Sequence, residues 1–149
     1  MRIVLQRVSR ASVTVDGELT GEIGRGYLLL VAAGREDTPE QIAWLADKIV
    51  GLRAFSDAQD KMNLPLAEVD GAALVVSQFT LYGDVRKGRR PSWVGAAPPE
   101  QGAERVEALA RALEERGVRV ARGRFGAHMD VELNNEGPVS LLLDSEKTF

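Results

Sequence analysis

Two short segments carry residue types that could do chemistry, Ser77-Gln78-Phe79-Thr80 and Asn135-Glu136-Gly137-Pro138. The first puts two hydroxyls and an amide into what reads as one β-rich strand, Ala72–Tyr82, otherwise rich in Ala, Leu and Val. Buried polar groups cost roughly 1–3 kcal/mol each unless they find partners, so such a cluster points to a use. If the strand continues, Ser77 and Phe79 share a face with Val75, and Gln78 and Thr80 share the other with Val76. The backbone N–H of Phe79 or Thr80 can also be free at the strand end. Such a place can receive an ester carbonyl or the edge of a ribose. The alternative is that Ser77, Gln78 and Thr80 cap ladder ends and neighbouring turns.

The second segment reads as a turn between two β-rich stretches, Met129–Asn134 and Val139–Leu143. A proline at a strand start is tolerated because its missing N–H costs no ladder bond there, and an ordinary hairpin accounts for it. A cis Gly137-Pro138 bond would instead turn two carbonyl oxygens to one side, as paired acceptors for an ammonium group. His128 is the only imidazole, and Asp130 would share its strand face. A triad of His128 and Asp130 with Thr80 or Ser77 is formally possible, but the spacing gives it no geometric support. The plainer reading is a surface or edge histidine. Cysteine is absent, which excludes disulfides, thiolate nucleophiles and Cys-ligated zinc. With one histidine, no multi-histidine metal site can be built within the chain. Neither metal nor cofactor is expected.

The formal net charge of −3 argues against indiscriminate coating of nucleic acid. Arg86, Lys87, Arg89 and Arg90 nevertheless lie within five positions, followed by Trp93. Arg and Lys can neutralise phosphates, and Trp93 can stack on a base or anchor the loop. A second basic group is Arg116, Arg119, Arg122 and Arg124. No apolar run approaches the ~20 residues of a membrane span. The opening MRIVLQRVSRASVTV lacks the apolar centre of a secretory leader, so a cytoplasmic location is expected.

The elements that must hold these residues are legible in outline. Ile3-Val4-Leu5 suits a strand buried on both faces, with Val8 on the face of Val4. Ser12–Val15 alternates and runs into Asp16-Gly17, a strong hairpin signal. Gly24 and Gly26 bracket the next turn, before a strand at Tyr27–Ala32. Thr38-Pro39-Glu40-Gln41 is a capping box opening a helix over 38–52, with Ile42, Leu45, Ala46 and Ile49 as its apolar stripe. Residues 53–72 are less regular, and 83–98 read as a functional loop. A second helix spans about Pro98 to Arg116, with Val106, Leu109, Ala110 and Leu113 inward and Gly117 at its C-terminal cap. A strand at about Val118–Ala121 follows it. The pattern predicts an α/β fold of one domain, residues 1–149, with a largely antiparallel sheet.

With these residues in view, the chain resembles the D-aminoacyl-tRNA deacylase family over essentially its whole length. MRIVLQRVSRASVTVDGE, SQFTLYGD, KGRRPS, FGAHM and NEGPVS match in order. The resemblance implies a barrel-like core of antiparallel and mixed sheets, two main helices packed outside, and a homodimer. It implies hydrolysis of the ester joining a D-amino acid, or mischarged glycine, to the 3′ end of tRNA, with L-aminoacyl-tRNA spared. Ser77, Gln78, Phe79 and Thr80 would line the catalytic pocket. Gly137 and Pro138 would form a cross-subunit Gly-cis-Pro element that rejects L-amino acids. Ser140 stands where the family usually has threonine. Arg86, Lys87, Arg89 and Arg90 are the expected tRNA contacts. Thr80 is assigned an orienting role, because no base is adjacent to activate it as a nucleophile. Two other readings remain, a non-catalytic RNA-binding module and a Ser/Thr amidohydrolase using His128.

Overall fold

The computed structural model, which describes residues 1–149, is organised around β1 (Arg2–Val15). The Asp16-Gly17 turn, both residues at positive φ, returns the chain into β2 (Glu18–Ile23) as the alternation predicts. β3 (Gly26–Ala32) pairs antiparallel with Arg2–Val8, while β2 takes Ala11–Val15. β8 (Asp130–Asp144) runs along β1 from Thr14 back to Arg2. β6 (Ala72–Ser77) is parallel to β3, and β7 (Arg119–Arg122) is parallel to β6. The sheet is therefore mixed, with its parallel part reached through two helical crossovers.

The sheet curls until β2 and β7 nearly meet. A Cβ on Gly21 would sit 2.5 Å from the carbonyl oxygen of Arg122, so a side chain here would push the barrel open. Two cores result, one on each face. Ile3, Leu5, Tyr27, Leu29, Val31, Ala73 and Val75 face the helices, whereas Val8, Ala11, Val13, Leu28, Leu74 and Val76 fill the barrel. β1 serves both because its pairing with β8 shifts register around Val8, moving its inward side chains across.

α1 (Pro39–Gly51) and α2 (Pro99–Glu115) cover the outer core. The Thr38 hydroxyl accepts from the Gln41 N–H at 3.3 Å, and the Gln41 side chain accepts from the Thr38 N–H at 3.0 Å. Ile42, Leu45, Ala46 and Ile49 are all buried; on α2 so are Leu109, Ala110 and Leu113, with Val106 packed partly against them. Between α1 and β6 the chain adds a small ribbon of β4 (Phe55–Ser56) and β5 (Met62–Leu64), where only an irregular segment is expected from the pattern.

Two expectations about strands are corrected. Met129–Asn134 and Val139–Leu143 are not a hairpin but parts of one strand, because both halves pair with β1 and the chain never reverses. The strand expected over Ala72–Tyr82 ends at Ser77, for reasons given below.

Leu109 is fully buried between α2 and the sheet. Leu109→Ala is expected to lower the unfolding free energy by about 2–5 kcal/mol through lost burial and the residual cavity, measured by urea denaturation.

Candidate functional site

β6 loses both neighbours at its C-terminal end. β7 pairs no further than Val75, and the last β3 contact is the Gln78 N–H donating to the Val31 carbonyl at 2.7 Å. Without ladder partners the chain turns at Gln78 (φ −146°, ψ 71°) into a 3₁₀ turn over Phe79–Tyr82. The alternation predicted through Thr80 therefore stops at Ser77. Ser77 and Gln78 are half-buried, while Phe79 and Thr80 are exposed, so these are not polar groups sunk in an apolar strand. As the first two residues of the 3₁₀ turn, Phe79 and Thr80 have backbone N–H groups with no partner inside the turn, and neither donates to a side chain or to a loop residue. Two consecutive amide donors thus stand open at the turn.

Ser77 and Phe79 line a cavity of about 560 Å³. Trp93, Phe125, Pro98 and Pro99 supply most of its apolar wall, and Arg35 is its only charged lining residue. Phe79 and Trp93 meet edge to face with ring centroids 5.3 Å apart. Gln78 and Thr80 do not line this cavity; the Gln78 side-chain amide donates to the Thr80 hydroxyl. His128 is exposed and hydrogen-bonds to neither Ser77 nor Thr80, so no triad is assembled. No group of three or more His, Asp or Glu side chains is close enough to hold a metal ion.

The 136–139 segment bulges out of β8. Ser140 pairs with Gln6 and Asn135 with Val8, so the intervening β8 residues have too few partners on β1. The bulge is held on several sides. Arg7, buried on β1, donates from Nε to the Glu136 carbonyl at 3.0 Å and from a terminal nitrogen to the Ala54 carbonyl at 2.7 Å. The Asn135 side chain accepts from the Val139 N–H at 2.9 Å and donates to the Ser140 hydroxyl at 3.0 Å. Gln6 donates to that same hydroxyl at 3.1 Å. Gly137 sits at φ +130°, with Arg7 3.0 Å from where a Cβ would be. The Gly137-Pro138 bond is cis, and both residues are exposed. Within one chain, none of Asn135–Pro138 lines the cavity.

The basic loop is pinched at its base by paired hydrogen bonds between Asp84 and Ser92, at 2.8 and 3.0 Å. Arg86 forks onto the Asp84 carboxylate, and this hydrogen bonding holds Asp84 well below the usual carboxylate range. Lys87, Arg89 and Arg90 are exposed with no carboxylate partner. The second basic group is different. Arg116 pairs with Asp47 at 2.7 Å, Arg122 with Glu107 at 3.0 Å and Glu114 at 2.8 Å, and Arg119 approaches Asp70 at 3.6 Å. Three of its four cations thus brace the fold, and only Arg124 is unpaired.

Sequence reasoning missed Arg7, Arg35 and the cavity role of Phe125. Arg7 had one local signal, a lone cation within a strand of core residues. Arg35 had none, and Phe125 only its place in the FGAHM segment, since their positions on the cavity wall depend on loops meeting across the fold.

A model of the family described as D-Tyr-tRNA(Tyr) deacylase matches residues 4–144. A D-aminoacyl-tRNA deacylase of Thermotoga petrophila is 52% identical over 149 residues, covering all of both chains. One from Anaeromyxobacter dehalogenans is 56% identical over the same span, again covering all of both. Among solved structures, a c-Myc DNA unwinding element binding protein superposes with a TM-score of 0.89 at 38% identity, over 97% of this chain and 98% of that one. A probable eukaryotic D-amino acid tRNA deacylase shares the fold, with a TM-score of 0.82 at 20% identity over 95% and 97% of the two chains.

The aromatic wall depends on a missing side chain. A Cβ on Gly83 would lie 2.7 Å from the Trp93 ring and 2.9 Å from the Thr80 carbonyl oxygen. In a Trp44→Phe background, Gly83→Ala is expected to displace Trp93 and shift its fluorescence emission to the red.

Proposed function

The chain belongs to the D-Tyr-tRNA(Tyr) deacylase family and is a hydrolase acting on D-aminoacyl-tRNA, and we propose that the cavity beside Phe79 receives the aminoacylated 3′ end. The observation that carries this reading is the pair of consecutive open amides at Phe79 and Thr80, the first of these residues lining an aromatic-walled cavity. The aromatic rings suit a nucleobase, since every base offers a π face. The two N–H groups suit the oxyanion that develops when water attacks the ester carbonyl. Ester hydrolysis is an undemanding acyl transfer, so positioning and oxyanion stabilisation suffice without a protein nucleophile. Thr80 then orients substrate rather than attacking it, because its hydroxyl meets the Gln78 amide and no base. The 2′-OH of the terminal adenosine lies in the substrate itself and assists from there.

The Asn135–Pro138 bulge supplies the choice of enantiomer. Its carbonyl oxygens hold the substrate ammonium while the open amides hold the ester carbonyl. With both ends fixed, the α-hydrogen and the side chain exchange places only by inverting the centre. A D side chain points to open space, and an L side chain is driven into backbone that Arg7, Asn135 and Gln6 hold in place. Glycine has no side chain to clash and is admitted. Because the bulge does not line the cavity of its own chain, it acts in the cavity of a second copy across a two-fold axis. The unpaired outer edge of β8 and the exposed Leu142 beyond the bulge support such a dimer. No helix is long and apolar enough to cross a membrane, and the proposed location is the cytoplasm, where charged tRNA is found.

Hydrolysis of D-tyrosyl-tRNA is expected to exceed that of L-tyrosyl-tRNA by a hundredfold or more in kcat/KM, about 2.7 kcal/mol, with glycyl-tRNA also cleaved. Comparable rates for the two tyrosyl esters would refute the stereochemical mechanism. Replacing Lys87, Arg89 and Arg90 together by Ala is expected to raise KM for charged tRNA more than it lowers kcat, and to flatten the salt dependence. Sedimentation at assay concentration is expected to show a dimer; a fully active monomer would remove the cross-subunit role of the bulge.

A further inference from the structure

Arg35 is the one charged residue in the cavity wall, and it is held as if for a purpose. Its backbone is fixed first. The Arg105 guanidinium donates to the carbonyl oxygens of Gly34 and Arg35, the latter at 3.0 Å. Gly34 bridges Ala96, and the Ala97 N–H donates to the Ala33 carbonyl at 2.9 Å, which joins this segment to the cavity loop. The side chain is fixed next. Arg35 Nε donates to the Val94 carbonyl at 2.6 Å.

That single bond leaves both terminal nitrogens, with four N–H donors, free of any protein acceptor. No carboxylate pairs with Arg35, in contrast to Arg86, Arg116 and Arg122. A guanidinium oriented through Nε presents its two terminal nitrogens as a fork, the geometry that matches two oxygens of a phosphate. It is exposed, so the charge stays hydrated until a ligand arrives. The cavity beside it is of a size and aromatic lining that suit a nucleoside.

We propose that Arg35 is a phosphate-binding residue that takes the 5′-phosphate group of the nucleotide whose base enters the cavity. This rests on the reading of the cavity as the site of the terminal adenosine. It is separate from the role of the basic loop, whose cations do not line the cavity and meet phosphates elsewhere on the tRNA. Arg35 touches the substrate but not the reacting atoms, so it acts on binding rather than on the chemical step.

The test uses two small esters, 3′-O-(D-tyrosyl)adenosine and the same ester carrying a 5′-monophosphate. For the unsubstituted protein, the phosphorylated ester is expected to have a kcat/KM about tenfold higher, chiefly through KM, as for one charge-assisted bidentate contact. Arg35→Ala should bring that ratio to about one, and Arg35→Lys should retain part of it as a point charge. A ratio of one in the unsubstituted protein, or a ratio unchanged in Arg35→Ala, overturns the proposal. An equal loss on both esters gives an unchanged ratio and marks Arg35 as only a prop for Val94. Phe79→Ala separates the two levels of inference. It should raise KM for both esters if the cavity holds the nucleoside, and no effect on either would overturn the cavity reading itself.

Discussion

Both edges of β1 must find backbone partners along nearly its whole length, and the other strands take their places from that requirement. An unpaired buried N–H or C=O costs about as much as a lost hydrogen bond, so a strand of 14 residues at the centre of a sheet commits its neighbours in register. β8 satisfies one edge continuously, and β3 and then β2 share the other. A strand that follows two different neighbours must twist between them. The register shift around Val8 is where it does so, carrying its apolar side chains from the helix-covered core to the barrel interior. A separate shift, between Gln6 and Val8, leaves residues 136–139 of β8 with too few partners. The candidate selectivity element is thus a by-product of how β1 is paired.

The buried Arg7 turns that surplus into a defined shape. Removing a guanidinium from water is costly unless its donors are satisfied, and here they reach the carbonyls of Glu136 and Ala54. The Glu136 carboxylate stands 3.6 Å away and is half exposed, so it contributes less than the carbonyl bonds. Arginine rather than lysine suits this place because a planar fork can serve two carbonyls in different directions at once. The contact links the bulge to the segment after α1, so the helix layer and the strand bearing the bulge are held as one unit. Asn135, Ser140 and Gln6 close the bulge from its other side. Ser140 accepts two hydrogen bonds through its hydroxyl alone.

The cations of the chain divide by whether the fold has already matched them. Arg116 and Arg122 lie on ladders of carboxylates between α1, α2 and β7, and hydrogen bonding to Arg122 holds Glu107 and Glu114 below the usual carboxylate range. Those charges are spent on packing. Lys87, Arg89, Arg90 and Arg35 have no carboxylate partner; the first three lie on the exposed loop between Gly83 and Pro98 and the last on the cavity wall. The net charge of −3 is therefore compatible with a polyanionic substrate, because unmatched cations remain available to phosphates whatever the total.

Local rules determined most of the framework before any contact was known. The Thr38 capping box, the Asp16-Gly17 turn and the two helix stripes are set by residues within a few positions of one another, and all are found as read. The motif residues were visible for the same reason, as hydroxyl, amide and glycine-proline groups out of keeping with their neighbours. Their geometry was not visible. Ala72–Tyr82 reads as one strand because its side chains favour β structure, yet a strand lasts only as long as its neighbours, and β7 ends opposite Val75. Asn135–Pro138 reads as a hairpin because Gly and Pro mark turns, yet β1 continues past it and holds both flanks in one strand. Whether a backbone donor is paired, whether a cation has met a carboxylate, and whether Phe125 and Trp93 line one cavity are questions about residues far apart in the chain. Sequence patterns determined the local conformations, and only the tertiary structure decided which polar groups remained free, because that depends on partners that chain proximity does not specify.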